Sequence, residues 1–465
     1  MVEYSDMRKI LLTVLIMIAP SVMAEKLPCP EKLTMTLQDA IILSMRNNPA
    51  IQSALLQRTV DKYALLVAKR EFRPQFTLQF RAHYANGSEP DYRAVPGMSY
   101  KSPIGTEILV DADSGLVGTH PVGTTVSVRQ PLLRGLRPKV VLANYHDALD
   151  NEKINKLNLK NQLISTITSV IQSYHTLVQD YNALEIDELA LKDSLRTLKN
   201  TKMKIKAGKA AATELTQLQA QVANQKLSIT RGKNAIDRDK QALLILLGLD
   251  PYANIDIDRS INIEGFEPPT QERSIELALS NNVQYQEALI SLKQRKRQLM
   301  VQKDNQLWRL DAVASASETF NQGIFDREHV KDVRLELDIP IDDKHRKQGL
   351  ISAKIGLKQF NIGLADQKRR LMTDVINAIR DLKAQREQIK LAENSVKYSE
   401  ESLDIAQKKF KHGRTTMFEI TSLRQTLTQN RLSLIGQKIS YLNTLVQFEQ
   451  TLGISLKRWN LEINC

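Results

Sequence analysis

The sequence consists largely of two tandem copies of one unit, and this duplication constrains the fold more than any other feature. Three short motifs recur in the same order, and the spacing between the second and third motifs is identical in both copies. A proline-containing segment separates the copies and predicts a linker. The motifs are AIILSMRNN at 40–48 and SIELALSNN at 274–282, KAG at 206–208 and KHG at 411–413, and LGL at 247–249 and LGI at 452–454.

Each copy ends in two stretches with a strict seven-residue hydrophobic period. A period of seven is shorter than two full helical turns, so it imposes a left-handed supercoil on packed helices. Glycine-containing tips at 206–212 and 411–417 separate the two stretches, and each copy is therefore predicted to end in an antiparallel coiled-coil hairpin. The periodic positions are Val170, Leu177, Leu184, Leu191, Leu198 and Ile205, then Leu215, Val222, Ile229, Ile236 and Leu243, with counterparts Val375, Leu382, Ile389, Val396, Leu403 and Phe410, then Ile420, Leu427, Leu434, Tyr441 and Phe448.

The predicted helix lengths do not match one another. A helix over about 139–206 would extend ~100 Å at ~1.5 Å per residue, whereas the returning helix at about 211–248 covers only half of that length. The N-terminal helix, about 36–72, is long enough to supply the other half. We therefore expect two short helices, stacked end to end, to run beside each long helix.

Alternating apolar and polar residues predict two strands in each copy, at 76–84 and 123–133 and at 310–320 and 333–341. The span 86–122 is rich in Gly, Pro and Ser and is expected to be an extracellular loop. Four strands cannot close a membrane barrel, which needs at least about eight, so several chains would have to share one. A soluble strand pair packed on its own helices is disfavoured, because the polar faces could not form a core. The residues expected to line water are Thr77, Gln79, Arg81, Arg334, Glu336 and Asp338.

The N-terminus has the pattern of a secretory signal, with Arg8–Lys9, a short apolar run and a small-residue cleavage site at Ala24. Translation could start at Met1 or Met7. The apolar run is about half the ~20 residues that cross a bilayer, and no later segment reaches that length. The predicted organisation is a signal peptide at 1–24, an N-terminal segment at 25–35, repeat 1 at 36–250, a linker at 251–271, repeat 2 at 272–455 and a C-terminal tail at 456–465.

The two cysteines, Cys29 and Cys465, lie near the two ends, and an exported chain could join them in a disulfide or keep both thiols free. The net charge of +13 arises from Lys and Arg interleaved with Asp, Glu and Gln, which favours solvated helix faces over a nucleic-acid surface. The sequence contains no His-Glu-x-x-His, no cysteine pair at metal spacing and no Gly-x-Ser-x-Gly motif. We therefore expect no enzyme activity, no cofactor and no metal site.

The order of these features resembles the TolC-like outer-membrane efflux protein family over nearly the whole exported chain. The resemblance implies a mainly α fold with a small β part, in which three chains form a long coiled-coil α-barrel and share a twelve-stranded transmembrane β-barrel. It implies an exit duct of a tripartite efflux or type I secretion system for drugs, toxic compounds or proteins. The implied partners are two further copies, outer-membrane lipid, a periplasmic adaptor (membrane fusion protein) and an inner-membrane pump.

The resemblance also assigns roles to residues near the hairpin tips. The family narrows its tunnel with two acidic residues one turn apart, which correspond here to Glu419 and to Ser422, so one carboxylate ring is expected at most. Glu214 is the equivalent of Glu419 in repeat 1, where a surface position at a helix start explains it equally well. The tips expected to contact the adaptor comprise Lys206, Gly208, Lys209, His412, Gly413, Arg414 and Thr415.

A protein of a different functional class would also fit part of this sequence. An exported periplasmic coiled-coil scaffold without a pore would show the same heptads and the same signal peptide. The alternating strands argue against it, because a scaffold has no use for a sheet with one apolar face.

Overall fold

The computed structural model describes residues 34–84, 91–117, 122–207, 212–263, 268–321, 326–412 and 414–459. The predicted signal peptide, Cys29 and Cys465 lie outside the described residues. The strands are β1 (Thr34–Met35), β2 (Gln75–His83), β3 (Asp91–Lys101), β4 (Glu107–Val117), β5 (Val122–Pro131), β6 (Asp256–Ile257), β7 (Arg309–Asn321) and β8 (Asp326–Asp338). The helices are α1 (Leu37–Asn47), α2 (Pro49–Arg70), α3 (Pro138–Val141), α4 (Ala143–Lys206), α5 (Ala212–Leu246), α6 (Gln271–Asn281), α7 (Val283–Asp304), α8 (Lys344–Lys411), α9 (Met417–Leu452) and α10 (Ser455–Arg458).

Two very long helices form the body of the molecule. Helix α4 has 64 residues and α8 has 68, which corresponds to about 100 Å each at about 1.5 Å per residue. Helix α5 returns along α4, and α9 returns along α8. The heptad positions face inward, since Val170, Leu177, Val375 and Leu382 are all buried. The predicted mainly α fold, with long coiled-coil hairpins, is confirmed.

The short helices stack end to end beside the long ones. The side chain of Asn48 caps α2 by accepting hydrogen bonds from the Ala50 and Ile51 amides, and its Nδ2 donates to the Leu246 carbonyl at the end of α5, 2.7 Å away. The second repeat builds the same joint, where the Asn282 Nδ2 donates to the Thr451 carbonyl at 3.0 Å. One asparagine therefore satisfies both the N-terminus of one helix and the C-terminus of the other.

A glycine completes each joint. Gly248 has φ +68° and Gly453 has φ +70°, the left-handed region in which a side chain is strained. A Cβ atom on Gly248 would lie 2.2 Å from the Asn47 carbonyl oxygen, and one on Gly453 would lie 2.3 Å from that of Asn281. Close approach of backbone to backbone therefore requires glycine at both positions.

The large sheet has six strands rather than the expected four, in the order β2-β3-β4-β5-β7-β8, with antiparallel neighbours throughout. The span 86–122, expected to be a loop, contributes β3 and β4. Pro96 and Gly97 break the alternation of β3, which explains why its composition indicated a loop. Strand β8 also begins at Asp326, earlier than predicted, because charged residues occupy both faces of its first half.

A second, two-stranded sheet joins the start of repeat 1 to the linker. Strand β1 pairs in parallel with β6, and the Tyr174 hydroxyl on α4 donates to the carbonyls of Met35 and Asp258 at 3.1 and 2.9 Å. Burial raises the pKa of Tyr174 to about 12, so the hydroxyl keeps its proton. This pairing could not be predicted, because each strand is only two residues long.

The joint makes a stability prediction. Gly248→Ala should lower the free energy of unfolding by about 2–5 kcal/mol, because a left-handed alanine costs about 1–2 kcal/mol and overpacking adds about 1–3 kcal/mol. Denaturant unfolding followed by circular dichroism measures this change. Gly363→Ala on α8 is the matched control, since nothing lies within 4 Å of its Cβ position, and it should be neutral or stabilising. Equal stability of the two variants would contradict the account of the joint.

Candidate functional site

The large sheet has one apolar face and one polar face. The paired registers bring alternate residues of all six strands onto the same side. The apolar face includes Phe76, Leu78, Phe80, Met98, Tyr100, Ile108, Val110, Val126, Val128, Ala314, Val333, Leu335 and Leu337. The six residues expected to line water, at 77, 79, 81, 334, 336 and 338, all share the opposite face.

Charges on the polar face pair across the strands. The Arg93 guanidinium donates to Asp113 at 2.9 Å, which joins β3 to β4. Arg129 on β5 lies 3.5 Å from the Glu336 carboxylate on β8 and 3.9 Å from that of Asp311 on β7. This face can tolerate water and charge, whereas the opposite face is mainly apolar, with charged side chains such as Lys331 confined to the end of β7 and β8 away from the helices.

Below the sheet, two ion pairs fasten the neighbouring helices to α4. The buried Arg58 of α2 makes a bidentate contact with Glu152, with N–O distances of 3.0 and 2.6 Å. These hydrogen bonds hold the pKa of Glu152 below its usual range. Arg297 of α7 donates to Asp147 at 2.8 Å and also contacts Asp150. Helices α2, α4, α7 and α8 consequently pack side by side in this order beneath the sheet.

At the other end of the bundle the two hairpins pack together near their tips. Leu218 of α5 joins Leu403 and Ala406 of α8 and Ile420 and Leu427 of α9 in one buried cluster. Helices α5, α4, α9 and α8 are neighbours in that order along this half of the bundle. The tips are thereby held as one unit rather than as two independent hairpins.

Glu419 lies in the first turn of α9, on the exposed surface next to the second tip. Its amide donates to the Thr416 side chain at 3.3 Å, and its carboxylate accepts from the Thr415 hydroxyl. An acidic group in this position also interacts favourably with the helix N-terminus. The carboxylate is therefore fixed at a helix start and still faces solvent.

The other predicted tip residues lie in the same region. Ser422 follows Glu419 by three positions and is exposed, so both share one face of α9. Glu214 lies half-buried in the first turn of α5. Lys206, His412 and Arg414 are exposed and Thr415 is half-buried, whereas Gly208, Lys209 and Gly413 lie outside the described residues.

Arg424 of α9, which was not predicted from the sequence, bridges the two hairpins. Its Nη1 donates to the Thr197 hydroxyl of α4 at 2.9 Å, and burial lowers its pKa although the carboxylate of Asp193 opposes that shift. Beside it, a groove between α5 and α9 is lined mainly by amide and hydroxyl side chains, including Gln221, Asn224 and Gln425. The only feature of the sequence that could have indicated this contact is an isolated arginine close to the heptad positions of α9.

A pair of carboxyl groups lies between α4 and α5. Arg238 forms an ion pair with Asp239 at 2.8 Å and holds the pKa of Asp239 below its usual range. Burial, together with the neighbouring Asp239, raises the pKa of Asp180 to about 6. At neutral pH the folded protein therefore carries an unfavourable negative charge at Asp180.

The described residues contain no group of histidine, cysteine and acidic side chains arranged to hold a metal ion. Across the same residues, none of the helices combines the length and the apolar character that a membrane crossing requires.

Comparisons with known proteins agree with this architecture. Residues 274–454 match the family described as outer membrane efflux protein. This match covers the second repeat. No curated protein sequence matches the chain.

Solved structures extend the similarity to more than nine-tenths of the chain. CusC is 14% identical, with a TM-score of 0.72 over 94% of this chain and 99% of its own. The outer membrane channel CmeC of Campylobacter jejuni is 15% identical, with a TM-score of 0.70 over 95% of both chains. The outer membrane channel MtrE of Neisseria gonorrhoeae is 14% identical, with a TM-score of 0.69 over 91% of this chain and 90% of its own. These similarities confirm the predicted fold.

The carboxyl pair makes a prediction about pH. The folded state binds the Asp180 proton more tightly than the unfolded chain, so the stability should rise as the pH falls through about 6. Asp180→Asn should therefore raise the melting temperature at pH 7 and flatten its pH dependence between pH 7 and pH 5. The control is Asp237→Asn, an exposed position on the same helix as Asp239. An unchanged pH profile of Asp180→Asn would contradict the raised pKa.

Proposed function

We propose that this chain is the outer-membrane exit duct of a tripartite export system, through which cargo leaves the cell passively. One observation carries the proposal: an amphipathic sheet stands at the end of a helical bundle about 100 Å long. Val333 and Phe76 on its apolar face are 83% and 78% exposed. An apolar surface that extends over six strands is unfavourable in water and favourable in lipid.

The polar face of the sheet and the bundle beneath it are also consistent with a channel. If lipid covers the apolar face, the charged face with Arg93, Asp113 and Arg129 encloses water, as in a membrane channel. The bundle then continues that channel into the periplasm. A scaffold without a pore would leave the exposed apolar face unexplained, so the channel is the function that the geometry supports best.

The tips supply the contacts for the rest of the export system. His412, Arg414 and Lys206 are exposed there and would meet the periplasmic adaptor, which joins the duct to an inner-membrane pump. Small toxic compounds, drugs and secreted proteins are all compatible cargo. The proposed constriction is a ring of Glu419 carboxylates with Ser422 beside it, and Glu214 contributes from the first repeat.

Planar-bilayer recording of the oligomer extracted from outer membranes tests the proposal. We expect enrichment in the outer-membrane fraction and discrete, long-lived openings. A protein that fractionates with the soluble periplasm and gives no conductance would contradict the proposal and favour a periplasmic scaffold without a pore.

The same recordings test the constriction. Glu419→Gln should weaken block of the channel by multivalent cations, because symmetry-related carboxylates attract cations in a narrow pore. The amide can still accept the Thr415 hydrogen bond, so the helix start is preserved. Glu401→Gln, an exposed position on α8, is the control and should leave block unchanged. Identical block in both variants would remove Glu419 from the constriction.

A further inference from the structure

The β3–β4 hairpin is a full part of the large sheet. Each strand has 11 residues, about the length of a membrane-spanning strand. Strand β3 pairs with β2 from Gln75–Ser99 to His83–Asp91, and β4 pairs with β5 from Glu107–Arg129 to Asp113–Gly123. Ladders on both sides therefore hold the hairpin within the wall rather than above it.

The turn of this hairpin lies at the helical end of the sheet. The Lys101 Nζ is 3.2 Å from the Glu71 carboxylate, just beyond the end of α2. The Ser102 amide donates to the Thr106 carbonyl at 2.8 Å, and Gly105 adopts φ +84° to close the turn. The hairpin thus crosses the same distance as its neighbours and returns.

The hairpin also continues both faces of the sheet. Met98 and Val110 extend the apolar face from Phe76 on β2 to Val126 on β5. On the other side, the Arg93–Asp113 ion pair extends the polar face. A hairpin that merely capped the channel would not need this alternation.

The sheet and the bundle end at the same two edges. Helix α2 leads directly into the edge strand β2, and the edge strand β8 leads into α8. These two helices are also the outer members of the row α2, α4, α7 and α8. Both carry exposed apolar residues at helical spacing, including Leu56 at 73% on α2 and Ile362 at 63% on α8.

We propose that three copies of this chain close an eighteen-stranded barrel, in which β8 of each copy pairs with β2 of the next and every β3–β4 hairpin forms part of the wall. The inference rests on the proposed function, from which the three copies are taken. Because each copy supplies six strands, an even number, β8 and the neighbouring β2 run antiparallel as a closed up-and-down barrel requires. The exposed apolar residues of α8 in one copy and of α2 in the next copy then meet at the same boundary.

The dimensions of the two layers accommodate eighteen strands. Three copies of the four-helix row make a ring of twelve helices, about 110 Å around at an axis spacing of about 9 Å. Strands spaced about 4.8 Å apart and tilted by about 40° occupy about 6.3 Å each around a barrel. Eighteen strands then measure about 113 Å and twelve only about 75 Å. A barrel of eighteen strands therefore has about the same circumference as the helical ring.

An eighteen-stranded barrel changes which part of the channel limits the size of the cargo. Barrels of 16–18 strands leave an aqueous channel of their own. The membrane part would then be no narrower than the tunnel below it, and selection by size would occur at the tips. Cargo that passes the tips would meet no second barrier in the barrel wall.

The strand count is measured by cryo-electron microscopy of the complete oligomer extracted from outer membranes. Eighteen strands with β3 and β4 in the wall would support the proposal. Twelve strands, with the hairpin outside the wall or folded into the lumen, would overturn it and leave the proposed channel function intact. A chain that forms no membrane oligomer would overturn both.

Disulfide trapping in the outer membrane provides a second readout, in a background with Cys29→Ser and Cys465→Ser. Val110→Cys with Val126→Cys should cross-link, because these residues are direct partners on β4 and β5. Leu78→Cys with Val126→Cys is the matched control and should not cross-link, because two strands separate β2 from β5. Efficient cross-linking of the control pair would mean that β2 and β5 are neighbours, and would overturn the eighteen-stranded barrel.

Discussion

The mismatch in helix length is the constraint on which the rest of the structure depends. Helices α4 and α8 are about twice as long as α5 and α9, which return beside them. The apolar seam of each long helix would lie open over half its length if nothing else covered it. Stacking α2 on α5 and α7 on α9 closes that seam, and it requires a joint in which two helix ends meet without unpaired backbone groups.

Asparagine and glycine form this joint without leaving backbone groups unpaired or straining a side chain. The side chain of Asn48 or Asn282 bonds to both helix ends, and Gly248 or Gly453 lets the chain turn against the carbonyl of the preceding helix. Because the joint is built in the same way in both repeats, the bundle acquires a regular length. The sheet is thereby carried at one end of the bundle and the hairpin tips at the other.

The two ends of the bundle differ in surface chemistry. The sheet exposes an apolar face, whereas the tips expose charged and polar groups such as Lys206, His412 and Arg414. Ion pairs such as Arg58–Glu152 fasten the helices just below the sheet. This distribution suits the proposed function, in which the sheet contacts lipid and the tips contact soluble partners.

Much of the fold could be predicted from the sequence, because heptads and repeated motifs encode long-range geometry directly. The hairpins of α4 and α5 and of α8 and α9 follow from the seven-residue period. Strands β3 and β4 could not be predicted, because Pro96 and Gly97 interrupt the alternation and only pairing with β2 and β5 defines the register.

The candidate site was harder to predict than the fold. Glu419 follows from its position after the second tip, but the hydrogen bonds that fix its carboxylate depend on the conformation of Thr415 and Thr416. Arg424 could not be predicted, because its partner Thr197 lies 227 positions away in the sequence.

Whether the sheet spans a membrane is tested by comparing adjacent residues of β8 in proteoliposomes. Single cysteines at Val333→Cys and Arg334→Cys, in a background with both native cysteines replaced by serine, would carry the same environment-sensitive fluorophore. If lipid covers the apolar face and water the polar face, lipid-borne nitroxide should quench the label at 333 and aqueous iodide the label at 334. Equal quenching of both labels by iodide, with none from the lipid, would show that the sheet does not span a membrane and would contradict the account.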